Sequence, residues 1–203
     1  MASLPSITAI LESPSRPDSP LAVTLSVLFE PSPILLSTLE PHLAEVLSTI
    51  PQLSSYSQLI VEALATISAW DKSLRSQFIT GHPRIGESKN LSNLSAKEQG
   101  VMTTATPTRP EVLARLAHLN ACYERRYPGL RYITFVNGRS RATIVEEMEG
   151  VLGLEHSLSP DEPSIDTFEP VEVGGGEWTA ELDRAVEDVG KIAMSRLRAL
   201  AVE

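Results

Sequence analysis

The sequence of 203 residues predicts an all-α fold, a single-domain bundle of about seven to eight helices with one short extended segment. Three observations support this fold class. Apolar residues recur every three or four positions through most of the chain, as they do on one face of a helix. Strands and helices do not alternate as in a parallel α/β protein, and no internal repeat is visible. The length suggests a single domain over residues 1–203.

The N-terminal segment, residues 1–20, contains four prolines among many serines. This composition predicts a loose connection with at most a short helix near residues 6–12. Residues 21–29 form an apolar segment, which the pattern alone allows to be either a helix or a strand.

The next helix is predicted from Pro33, which suits a first helical turn, to about Thr49. Pro41 is expected to kink or divide it, because proline has no N–H to donate. Apolar side chains at helical spacing then predict a helix over residues 55–70. The chain breaks at Gly81, which is followed by histidine and proline.

The middle of the chain begins with Ser95 and Glu98, which form the Ser-x-x-Glu pattern of a helix start. A strongly amphipathic stretch predicts a helix over residues 110–127. The segment Tyr132–Val136 reads as extended and buried, and it stops at the turn dipeptide Asn137-Gly138.

Two further helices are predicted at the C-terminal end, over about residues 140–152 and 179–202. The insert between them, residues 157–177, contains three prolines, several acidic residues and three consecutive glycines. Such a composition is typical of a surface loop, so a flexible insert is expected.

The formal charge is −9, from 17 basic and 26 acidic residues. This average field repels polyanions, so a nucleic-acid partner is not expected, although a few convergent basic side chains could still bind a small anion. Cys122 is the only cysteine, so an intramolecular disulfide is excluded. No apolar run reaches the length of a membrane span, so no membrane partner is expected. The chain ends without a peroxisomal tripeptide, which favours the cytoplasm and leaves peroxisomal import with a partner open.

His82 is the first candidate functional residue, in the sequence Gly-His-Pro-Arg-Ile-Gly. Pro83 restricts the backbone of the residue before it, so the imidazole would be held in one orientation, as general acid–base catalysis requires. A solvated loop histidine is the alternative interpretation.

Two further candidates contain charged or polar side chains near helix ends. Ser95, Glu98 and Gln99 would place a hydroxyl, a carboxylate and an amide at a helix N-terminus, which suits an anion or a polar ring. The alternative is only a capping box. Arg196 lies at the border of the apolar stripe of the last helix. It either binds a substrate carboxylate through its guanidinium group or is a solvated or surface-paired arginine.

These motifs, taken in order, resemble the ureidoimidazoline decarboxylase family, whose substrate is 2-oxo-4-hydroxy-4-carboxy-5-ureidoimidazoline (OHCU). The resemblance covers about residues 23–157 and 178–201. The motifs that carry it are Leu28-Phe29-Glu30-x-Ser32-Pro33, His82-Pro83 followed by Gly86, Ser95-x-x-Glu98-Gln99, Leu119-Asn120-x-x-Tyr123, the segment Tyr132–Val136 with its Gly138 turn, and Arg196-Leu197.

The resemblance implies an all-α enzyme without metal or organic cofactor, which releases S-allantoin and carbon dioxide in urate breakdown. A homodimer is the oligomer it suggests. Its implied catalytic residues are His82 and Glu98. Its implied contacts to the anionic ureidoimidazoline are Pro83, Ser95, Gln99, Tyr132, Ile133, Thr134, Phe135, Val136 and Arg196.

Two other functions remain open at this level. A helical homologue without catalysis could act as a binding or adaptor protein, with the acidic insert as its partner-binding loop. A hydrolase that acts on a related ureide is less supported, because the sequence contains no metal-ligand cluster and no activated nucleophile.

Overall fold

The computed structural model describes residues 4–49, 53–87, 94, 96 and 108–200. In these ranges the chain is helical with no strand, so the predicted all-α class is confirmed. The helix predicted from Ser95 lies outside the described residues. The described ranges contain the α-helices α1 (Ile7–Glu12), α2 (Pro20–Phe29), α3 (Glu40–Thr49), α4 (Tyr56–Ser68), α5 (Lys72–Thr80), α6 (Pro110–Arg126), α7 (Arg141–Val151) and α8 (Gly176–Leu200).

The chain divides into two compact units. Unit 1 comprises Met1–His82 and Leu182–Glu203, and unit 2 comprises Pro83–Glu181. Unit 1 buries mostly aliphatic side chains, in keeping with an aromatic content of only 5%. In this unit α4 and α8 approach closely at Gly190, where an added Cβ would lie 2.8 Å from Leu64 Cδ1. The fully buried aliphatic residues of unit 1 include Leu25, Leu28, Leu35, Leu39, Leu43, Leu59, Ile60, Ile67 and Leu182.

Helix α2 resolves the ambiguity of the apolar segment 21–29. Its N-cap is Ser19, whose hydroxyl accepts a hydrogen bond from the Ala22 N–H at 3.0 Å. Pro20 occupies the first turn, where its missing N–H costs nothing. These start signals, together with packing of the apolar face in unit 1, favour a helix over a strand.

Pro41 produces a widened turn, as its missing donor suggests. A single π-helical turn, Leu35–Leu39, precedes α3, and the Glu40 N–H donates to Leu35 O. An i→i+5 bond of this kind accommodates a local irregularity without ending the helix. Pro41 itself lies in the first turn of α3, where proline is tolerated.

Helix α5 was not predicted as a separate element. Its start signal is Asp71, whose carboxylate accepts from the Leu74 N–H at 2.9 Å. The helix is mostly polar and buries only Phe78 and Ile79, so its apolar periodicity is weak. Arg75 pairs with Asp183 in the unit 1 part of α8, a contact that local sequence patterns cannot reveal.

Unit 2 is built on the packing of α6 against α7. An ion pair between Arg115 and Glu149 joins the two helices, and each side chain is only 1% exposed. The insert lies along α6: Arg115 Nη1 donates to Ser159 O at 3.0 Å, and the Val171 N–H donates to Arg126 O at 2.9 Å. The flexibility expected for residues 157–177 stays a prediction.

None of the helices in the described ranges is both long enough and apolar enough to span a membrane.

Candidate functional site

His82 lies two residues after the end of α5 and is hydrogen-bonded to the last turn of this helix. The His82 N–H donates to Ile79 O at 3.1 Å. The residue before it, Gly81, closes the helix and lies against Ser32, since an added Cβ at Gly81 would be 2.8 Å from Ser32 Cβ. A glycine at this position therefore lets the turn at His82 approach the segment after α2. Both segments belong to unit 1.

The imidazole of His82 is buried, with 6% of the residue exposed. Its Nδ1 lies 3.0 Å from Phe78 O, and its ring packs edge-on to the Phe78 ring at a centroid distance of 5.0 Å. A carbonyl oxygen only accepts hydrogen bonds, so Nδ1 carries the proton in the neutral ring. Nε2 is then the nitrogen with the basic lone pair. The alternative of a solvated loop histidine is wrong, because the side chain is buried.

Burial lowers the pKa of His82 from its ordinary value of 6.5 to about 4. The hydrogen bond to Phe78 O raises the pKa and the charge of Arg196 lowers it. The charge of Glu30 raises it by a smaller amount. Desolvation dominates because removing water destabilises the imidazolium form. The side chain is therefore neutral at neutral pH and can accept a proton.

This low pKa predicts an acid-labile folded state. Between about pH 6.5 and pH 4 the unfolded chain protonates His82 and the folded chain does not, so stability falls as pH falls through this window. The expected loss between pH 7 and pH 4 is about 3 kcal/mol from this residue. Urea unfolding of the wild type and of His82→Asn at both pH values measures it. Equal pH dependence in the two proteins would show that His82 is not buried as a neutral base.

Arg196 is also buried, with 3% of the residue exposed, and its guanidinium pairs with Glu30. Arg196 Nη2 donates to Glu30 Oε1 at 2.7 Å. Its Nη1 donates to Val27 O at 3.3 Å and to Leu28 O at 3.4 Å, which are carbonyls near the end of α2. The alternative of a solvated or surface-paired arginine is therefore wrong. The last helix places this cation near His82, whose pKa it lowers.

Glu30 is the residue of this cluster that the sequence did not single out. It is 6% exposed and adopts a φ of 71° at the end of α2. A positive φ is unfavourable for glutamate, and such strain persists where surrounding contacts enforce it. The motif Phe29-Glu30-x-Ser32-Pro33 marked the segment, but nothing in it identified Arg196 as the partner.

The extended segment Tyr132–Val136 lies in unit 2 and has no regular secondary structure. Tyr132, Ile133 and Thr134 are buried. The hydroxyl groups of Tyr132 and Thr134 donate to Glu147 Oε1 at 2.6 and 2.7 Å. Glu147 of α7 thus holds the segment through the side-chain hydroxyl groups of Tyr132 and Thr134.

Arg139 completes this support from the turn that follows the segment. Asn137 and Gly138 both have positive φ, 47° and 76°, as their turn signal predicted. Arg139 Nε donates to Val136 O at 3.0 Å, and its guanidinium also bonds Phe135 O and pairs with Glu147.

The remaining predicted site residues divide into two groups. Pro83 is the first residue of unit 2 and is partly buried. Ser95, Glu98 and Gln99 lie outside the described residues. Within the described ranges, no three His, Cys, Asp or Glu side chains are arranged to bind a metal ion.

A protein-family model described as OHCU decarboxylase matches residues 16–156. Among solved structures, the chain is similar to a crystal structure of (S)-allantoin synthase, with 20% sequence identity and a TM-score of 0.56. The match covers 96% of this chain and 54% of that chain, so this chain spans about half the length of that protein. At this identity the similarity shows the fold alone. No curated protein matches the chain.

Proposed function

The chain belongs to the OHCU decarboxylase family, and from this premise we propose that it converts OHCU to S-allantoin and carbon dioxide. The reaction breaks the bond between the ring carbon and its carboxylate. The electron pair of that bond enters the adjacent ring imine, so the substrate provides its own electron sink and no organic cofactor is required. The protein has to orient the carboxylate and deliver a proton to one face of the ring.

The observation that carries this proposal is the buried, neutral His82. Its Nε2 lone pair takes the proton of the ring hydroxyl as carbon dioxide leaves, because a base with a pKa of about 4 is unprotonated at neutral pH. The imidazolium then returns a proton to the neighbouring ring carbon on one face, which sets the configuration of allantoin. One further proton from solvent balances the loss of carbon dioxide from the anionic substrate.

Arg196 is proposed to bind the substrate carboxylate. A guanidinium group recognises a carboxylate through parallel N–H donors, and a buried guanidinium exerts a stronger field than a solvated one. Arg196 and His82 both belong to unit 1, and Arg196 acts electrostatically on His82. A cation next to a neutral base suits an anionic substrate whose charge passes from the carboxylate into the ring as carbon dioxide leaves.

The other roles rest on the family resemblance and stay proposals. Glu98 is proposed as the second catalytic group, which orients the imidazole of His82. Pro83, Ser95 and Gln99, together with the backbone of Tyr132–Val136, are proposed as substrate contacts. The clamp formed by Arg139 and Glu147 supports the last of these, because backbone groups recognise a ligand only when the segment is held rigidly.

A coupled assay tests the reaction itself. Urate oxidase and the ring hydrolase generate OHCU in place, and circular dichroism follows optically active allantoin. The protein should accelerate formation of the S enantiomer over the spontaneous, racemic reaction. A well-folded protein that leaves both the rate and the racemic outcome unchanged would exclude the decarboxylase activity and favour a binding role.

A further inference from the structure

The pairing of Arg196 with Glu30 is unusual for a residue proposed to bind an anion, because a carboxylate of the protein already occupies part of the guanidinium. Both side chains are almost fully buried, at 3% and 6% exposure for Arg196 and Glu30. Two buried charges in contact neutralise each other far more than a solvated pair does. The field that Arg196 presents to a ligand is therefore weaker than that of an unpaired arginine.

The unfavourable backbone conformation of Glu30 indicates that the folded protein specifically maintains the pairing of Glu30 with Arg196. A φ of 71° is unfavourable for glutamate, and a glycine would relieve it. A glycine would lack the carboxylate that accepts the hydrogen bond from Arg196 Nη2, with a distance of 2.7 Å between Nη2 and Glu30 Oε1. Ser32, two residues further on, contacts Gly81, so the same strained turn lies beside the segment that carries His82.

The chemistry of decarboxylation gives the pairing a purpose. The substrate carboxylate bears a full negative charge before the reaction, and this charge moves into the ring as carbon dioxide forms. A fully charged arginine would stabilise the ground state more than the transition state, which improves binding and slows the chemical step. A carboxylate beside the arginine offsets part of its positive charge and so reduces this stabilisation of the ground state.

We propose that Glu30 is a positioning residue that orients Arg196 and offsets part of its positive field, so that the substrate carboxylate is held without being over-stabilised. This inference rests on the proposed function. It adds to the site a residue that touches Arg196 and is not itself a substrate contact.

The substitution Glu30→Gln tests the inference, because glutamine keeps the acceptor oxygen for Arg196 Nη2 and removes the negative charge. We expect KM to fall about fivefold and kcat to fall roughly tenfold, the pattern of increased ground-state binding. A residue that only supports the fold would instead leave KM unchanged or raise it. The matched control is Glu40→Gln, which neutralises another buried carboxylate of unit 1, one that accepts from Ser19 Oγ at 2.7 Å.

If Glu30→Gln does not fold, a pair of variants that are isosteric with each other provides the same test. Glu30→Asp and Glu30→Asn differ only in charge, and KM should again be lower for the neutral member.

The outcomes separate this inference from the proposed function. A wild-type protein without decarboxylase activity would exclude the proposed function. An active wild type whose Glu30→Gln variant has the same KM and kcat as Glu40→Gln, or a higher KM, would overturn the role of Glu30 and leave the decarboxylase activity standing.

Discussion

Replacing His82 with alanine is expected to abolish stereoselective allantoin formation, with kcat lower by about 10²–10⁴-fold. The reason is that the variant loses the buried imidazole that interacts electrostatically with Arg196 and is unprotonated at neutral pH. Allantoin would still appear through the spontaneous reaction, but as a racemate. Circular dichroism in the coupled assay distinguishes the two, because only the catalysed product is optically active.

Two further variants separate catalysis from folding in this experiment. His82→Asn keeps a side-chain N–H that can replace Nδ1–H in the bond to Phe78 O, so its fold should persist while its activity is lost. His42→Ala removes an exposed histidine of the same unit, which accepts a hydrogen bond from Trp70 Nε1 at 3.2 Å, and should remain active. Full activity in His82→Asn would remove His82 from the catalytic mechanism.

Glu149→Gln is expected to cause the largest loss of stability, about 3–5 kcal/mol, because it leaves the buried guanidinium of Arg115 without a counter-charge. Glu149 Oε1 accepts from Arg115 Nε at 2.8 Å, and Oε2 is bonded by His156 Nδ1 at 2.7 Å. Burial opposes ionisation of this carboxyl, but these hydrogen bonds and one from the Ser157 N–H hold its pKa below the ordinary value. The carboxylate is therefore charged in the folded protein.

Urea unfolding at neutral pH measures this effect, with Glu177→Gln as the matched control. Glu177 pairs with Arg126 on the surface of the same unit, where its side chain is 54% exposed, so its loss should cost at most about 1 kcal/mol. Replacing both partners, as in Arg115→Met with Glu149→Met, should recover stability relative to Glu149→Gln, since no uncompensated charge remains. Similar stability losses in the Glu149 and Glu177 variants would contradict the interpretation of Arg115 and Glu149 as a buried charge pair.

Much of the helical structure could be predicted from the sequence, because helix signals are short-range. Apolar spacing, together with the proline at the start of α6, located α4, α6 and α7 to within a few residues, whereas the segment that forms α2 was left open between helix and strand. Helix α5 was missed because its side chains are mostly polar and only Phe78 and Ile79 are buried, so its apolar periodicity is weak. The apolar spacing over residues 140–152 predicts that Val151 faces inward, but Val151 is 38% exposed, because periodicity says little about how far the packing partner extends.

The sequence by itself determined the all-α class, most helix boundaries and the candidacy of His82 and Arg196, because periodicity, caps and motifs act over a few neighbouring residues. The tertiary structure alone decided the electrostatic properties of these candidates. His82 is neutral because the surrounding packing excludes water, and Arg196 is partly neutralised because Glu30, 166 residues away in the chain, packs against it. A local pattern contains neither fact, since protonation and charge pairing depend on which distant segments meet in the folded protein.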